Sequence, residues 1–271
     1  MTSWDLAAIG AIIFIGVPHG GLDGAVARRI GWPNGMMAWI GFNLSYVFLA
    51  ALVAWAWLQW PLLGLSGFLI ISALHFGASD IANTRSSIIE KSFLRWLPLI
   101  SHGGLVSIAI PNFQASSVQS LFTLLVGNTG AAMLINTLSL FLLPWLLCVT
   151  AYLGYAFIYP VWRKPLLSLV LLLILAWWLP PLISFAVYFC LYHSRNHLLR
   201  VWFSINKKRE RRRSFIEAMV YSVLAWASVL VFLFIVPNTL TTALVQITFI
   251  GLAALTVPHM LLVDLANKLN K

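Results

Sequence analysis

The sequence predicts an all-α, polytopic integral membrane bundle of about eight to nine transmembrane helices, forming one membrane-embedded domain over residues 1–271. Three observations predict it. Of the 271 residues, 61% are hydrophobic and only 9% charged, with a mean hydropathy of +0.91; soluble domains carry roughly a quarter charged residues. Apolar runs near the ~20 residues that cross a bilayer follow one another almost without pause. Finally, the basic residues collect in every second gap between those runs.

Apolar segments are drawn at residues 4–20, 36–58, 62–82, 96–110, 131–159, 165–180, 182–204, 215–236 and 240–262. In the first, Asp5 and no Lys or Arg precedes the stretch from Leu6 to Val17, the wrong polarity for a signal peptide, so a retained helix is expected. The Pro180-Pro181 pair separates the sixth segment from the seventh, because proline ends or kinks a helix. Asn206 to Ser214 is the longest polar stretch and reads as a short loop or helical extension. Cys148 and Cys190 lie in separate apolar runs and form neither a metal-binding pair nor a disulfide framework.

Alternation of these segments places all 17 Lys and Arg on one face: Arg28 and Arg29, then Arg85, Lys91 and Arg95, then Arg163 and Lys164, then Arg195 to Arg213, then Lys268 and Lys271. The opposite gaps, Gln59 to Pro61, Pro111 to Gly130, Pro180-Pro181 and Pro237 to Thr239, hold no charge. The positive-inside rule then sets the N-terminus outside and the C-terminus in the cytoplasm, in the cell's inner (plasma) membrane. The net charge of +10 is explained by contact with anionic lipid, and a nucleic-acid partner is not expected.

All six histidines fall in apolar segments. His19, His75, His193, His197 and His259 lie toward the cytoplasmic ends of segments that run the same way, and His102 sits at a comparable depth, roughly 10–15 Å below the basic loops at ~1.5 Å per helical residue. Three acids follow closely: Asp23 after His19, Asp80 after His75 and Asp264 after His259. Ionisable groups inside a membrane are costly and face one another or a bound ion. His193 and His197 share one helical face, close enough to reach one metal. With His19 and His75 they offer four imidazoles from three segments. Nitrogen donors suit iron, zinc or copper and disfavour magnesium or calcium. Asp23, Asp80, Asp264 and His259 are expected to orient the ligands. His102 is expected to make an ordinary helix-to-helix hydrogen bond. Phe76, Tyr188, Phe189 and Tyr192 adjoin the ligands and are candidates for lining an apolar substrate channel.

The pieces Gly16-Val17-Pro18-His19-Gly20-Gly21-Leu22-Asp23, His75-Phe76-Gly77-Ala78-Ser79-Asp80, Tyr188-Phe189-Cys190-Leu191-Tyr192-His193-Ser194-Arg195-Asn196-His197 and Pro258-His259-Met260 resemble the Brp/Blh family of membrane-bound β-carotene 15,15′-dioxygenases. They span nearly the whole chain in the expected order. The resemblance implies a non-haem Fe(II) enzyme that uses O₂ to cleave the central double bond of β-carotene into two molecules of all-trans-retinal. It implies iron ligands at His19, His75, His193 and His197, and a rhodopsin in the same cell that takes the retinal.

Other classes compete with this reading. A b-type haem carrier needs axial histidines on facing helices, whereas His193 and His197 share a face. A di-iron hydroxylase needs more than six histidines. A metal or proton transporter needs ionisable groups along a path, and here they form one layer. A retinal-binding opsin is excluded because no lysine lies mid-segment to form a Schiff base.

Overall fold

The computed structural model describes the chain apart from residues 34, 83, 85–92, 237, 270 and 271, and apart from the side chains of 93 and 267–269. Arg85, Lys91, Pro237, Lys271 and the side chain of Lys268 therefore lie outside the described residues. The described residues are almost all helical, with no strand among them. In order the helices are α1 (Ser3–Arg29), α2 (Met36–Gln59), α3 (Pro61–Asp80), α4 (96–113), α5 (Ala115–Ile158), α6 (Pro160–Trp178), α7 (181–204), α8 (Lys208–Ile235) and α9 (Leu240–Leu269).

Seven of these, all except α4 and α7, are long and apolar enough to cross a membrane. Both exceptions are interrupted helices, and α7 also carries His193, Arg195, Asn196, His197 and Arg200, which dilute its hydropathy. Large apolar side chains stand outward on the long helices, among them Phe234 at 89% exposure and Met37 at 83%. Water penalises so much exposed apolar surface and lipid does not, so this is a helical membrane protein.

One expectation is corrected. The gap from Pro111 to Gly130 is mostly helix, because α5 starts at Ala115 and turns sharply at Gly127, whose φ of 75° suits glycine. Val118, Phe122 and Leu125 recur at helical spacing and bury one face, while the intervening Ser, Gln and Thr lower the hydropathy that the sequence reading follows.

The chain forms two compact units, residues 1–64 with 189–271, and residues 65–188. In the first, α1 is not a uniform helix. Ile12–Gly16 is a wide π-helical turn and Val17–Leu22 a tight 3₁₀ turn. Pro18 falls at the junction, where it supplies no N–H to the preceding turn. Beyond it, Gly21 meets α8 backbone to backbone, since a Cβ there would lie 2.8 Å from Ala218 Cα. Leu22, Ala25, Val26, Val201, Ile205 and Ala266 form a core that joins α1, α7 and α9. Arg28 Nη1 donates to Glu217 at 2.7 Å and Nη2 donates to Ser214 Oγ at 2.9 Å, which ties the end of α1 to α8.

In the second unit, α3 and α4 also approach at backbone distance. A Cβ on Gly77 would lie 2.2 Å from the Leu99 carbonyl oxygen, and one on Gly103 would lie 2.1 Å from that of Ala73. Close helix contact through small residues is the usual packing device in lipid, where no hydrophobic force pushes helices together. Trp145 of α5 donates to the carbonyls of Ile100 and Ser101, both at 3.2 Å.

Candidate metal centre

Four histidines of the first unit converge. The imidazole of His19 lies 5.6 Å from that of His193, 5.7 Å from that of His197 and 5.2 Å from that of His259, centre to centre. The rings of His197 and His259 are 4.9 Å apart. All four are buried, His193 at 1% exposure.

Each ring arrives by a local feature of its helix. The 3₁₀ turn after Pro18 carries His19. Its Nδ1 hydrogen-bonds to the Gly16 carbonyl, an acceptor only, so Nδ1 carries the proton and Nε2 keeps its lone pair. Ser194 Oγ lies 3.1 Å from the same Nδ1. His193 sits at the end of a π-helical stretch, Val187–Ser194, and His197 in the α-helical turn that follows. Phe189 stacks on His193 with ring planes 11° apart and meets the edge of His19, so it walls the cluster on that side. His259 comes from α9, where Pro258 precedes it.

Asp23 does not serve His19, its neighbour in sequence. It accepts from His259 Nδ1 at 2.8 and 3.0 Å and from Tyr46 OH at 2.8 Å, so α1, α2 and α9 are joined at one buried carboxylate. Tyr46 OH also lies 3.4 Å from the Leu255 carbonyl. Sequence reasoning missed Tyr46 because nothing distinguishes it from other tyrosines in apolar helices.

The donor set fits a metal ion. One ligand atom from each of Asp23, His197 and His259 can be chosen so that all lie within 4.8 Å of one another. His197 Nε2 is buried without a hydrogen-bond partner among the described residues, an arrangement that costs energy unless something else satisfies the nitrogen. An imidazole bound at ~2.1 Å has its centre about 3.2 Å from the ion, so neighbouring ligands have centres about 4.6–5.3 Å apart. The ring spacings here fall at or slightly above that range. Imidazoles with a carboxylate behind them suit iron, zinc or copper.

His75 belongs to the second unit, where it is buried on α3 with its ring 5.8 Å from that of Phe76. There Phe76 packs edge to face with Tyr188 at 5.2 Å, and Tyr188 OH donates to Asp80 at 3.0 Å. His102 is fully buried, with Nδ1 3.6 Å from the same carboxylate and its ring against Tyr152. Asp264 is exposed and Tyr192 half-buried. The first unit also holds a small apolar recess lined by Ile13, Val17, Trp226, Val229, Gly251 and Leu255.

Comparison with known proteins follows the same residues. The family model described as β-carotene 15,15′-dioxygenase matches residues 10–267. A β-carotene 15,15′-dioxygenase from uncultured marine bacterium 66A03 is 34% identical over 263 residues, which cover 96% of this chain and 93% of that one. No solved structure matches the chain. Since both matches run through all four histidine-bearing pieces and nearly the full length, the chain belongs to the β-carotene 15,15′-dioxygenase family.

Proposed function

We propose that this protein cleaves the central 15,15′ double bond of β-carotene with O₂, giving two molecules of all-trans-retinal. One C=C bond breaks, and each new carbonyl takes one oxygen atom of the same O₂. The observation that carries the reading is a cluster of buried imidazoles in a helical membrane protein whose family is named for this reaction. The proposed cofactor is Fe(II), with ligands at His19, His75, His193 and His197. When bound, it supplies the redox chemistry that O₂ needs to react with an alkene.

The chain's own residues hold, orient and exclude. The Gly16 carbonyl and Asp23 set which ring nitrogens of His19 and His259 keep their lone pairs. Phe189 covers one side of the cluster and keeps water from it. The recess beside Val17 offers apolar walls to part of a polyene that reaches the protein through lipid. No general acid or base is required for alkene cleavage, and Asp23 is engaged by His259 and Tyr46. In this reading the protein lies in the plasma membrane with its basic loops in the cytoplasm, and its product serves a retinal-binding rhodopsin in the same cell.

The test is retinal production in cells that accumulate β-carotene and express this chain, beside a strain carrying His193→Ala. Retinal from the first alone is expected. Its absence from both, with folded protein confirmed in the membrane, would overturn the assignment.

A further inference from the structure

We infer that His259 is a direct ligand of the metal, held in place by Asp23 and Tyr46. The inference deepens the metal-centre reading and rests on it. Sequence reasoning places His259 behind the ligands, as a group that orients them, and the geometry points to the inner position. Its ring lies 5.2 Å from that of His19 and 4.9 Å from that of His197, closer than the 5.6 and 5.7 Å that separate His19 from His193 and His197. Both fall within the range for rings sharing one ion, about 4.6–5.3 Å. If the looser 5.6 Å spacing between His19 and His193 is compatible with shared coordination, the tighter pairs are more so.

Hydrogen bonding supports the same role. His259 Nδ1 donates to both carboxylate oxygens of Asp23, at 2.8 and 3.0 Å. A carboxylate behind the far nitrogen of an imidazole is the arrangement that metal-bound histidines use to fix their tautomer and raise their basicity. Asp23 is in turn fixed by Tyr46 OH at 2.8 Å, so the support extends across α1, α2 and α9. His19, by contrast, has a backbone carbonyl at its Nδ1. His197, the nearest ring to His259, has its buried Nε2 without a hydrogen-bond partner among the described residues, as an atom aimed at an ion would be.

The experiment uses the full chain, purified in detergent, stripped of metal and titrated with Co(II), whose visible absorption reports its ligands. His259→Gln can still donate to Asp23 through its amide but removes the imidazole. It is expected to shift the Co(II) bands and to weaken binding by more than about 100-fold. Asp23→Asn, which removes only the support, should weaken binding by about 10- to 100-fold and leave the bands in place. His259→Cys is the positional test: a thiolate at the metal gives a charge-transfer band in the near ultraviolet, and one behind the ligands gives none. Co(II) bound to the His259→Cys protein without that band, or His259→Gln with unshifted bands and a loss no larger than that of Asp23→Asn, would overturn the inference. A wild-type chain that is folded and binds no Co(II) would remove the metal centre itself rather than the place of His259 in it.

Discussion

Arg28 and Glu217 meet at 2.7 Å with side chains 9% and 10% exposed, and Arg213 adds a second contact to the same carboxylate at 2.9 Å. Removing one partner leaves the other charge buried and unpaired, which costs on the order of 3–5 kcal/mol. Glu217→Ala is therefore expected to lower the melting temperature in detergent by several degrees, read by circular dichroism, and an unchanged melt would show that the pair is solvated. No sequence pattern announces this pair, whose members are 189 residues apart. The same blindness applies at the candidate centre. Depth was legible, because His19, His193, His197 and His259 stand at similar distances from the basic gaps. Facing was not, because nothing in the residues around His259 says which neighbouring helix its side chain meets. Acid pairing obeys the same limit: Asp23 follows His19 in sequence, and the fold sets it against His259, 236 residues away.

At the scale of elements, adjacent glycines in the 3₁₀ turn of α1 give a controlled contrast. A Cβ on Gly20 meets nothing within 4 Å, whereas one on Gly21 would press on Ala218 of α8 at 2.8 Å, against backbone. Gly20→Ala is expected to leave stability nearly unchanged or slightly raised. Gly21→Ala should cost about 1–3 kcal/mol through overpacking. Thermal melts of the two variants check this, and equal melts would mean that α1 and α8 do not touch there. Helix positions themselves were largely legible, since a long apolar run between charged or proline-bearing gaps has few alternatives in lipid. What escaped was the helix from Ala115 to Gly127, where polar residues hide a buried stripe, and the π-helical stretch of α7, which composition does not encode.

Over the whole molecule, charge asymmetry predicts orientation. In a background of Cys148→Ser and Cys190→Ser, a cysteine introduced at Asn238 should react with a membrane-impermeant maleimide on intact cells, and one at Lys208 should react only after lysis. The reverse pattern would invert the topology. Both positions are exposed, so burial does not decide the result. The wide turns within α1, α4 and α7 carry a consequence at this scale as well. Each shifts the angular phase of the residues beyond it relative to a regular helix, in which one residue turns the chain by about 100°. Deleting a single residue from Ile12–Gly16 would leave a run still long and apolar enough to span the bilayer, yet swing His19 away from its partners. The cluster is thus written in the number of residues between fixed points as well as in their kinds, and hydropathy is blind to that count.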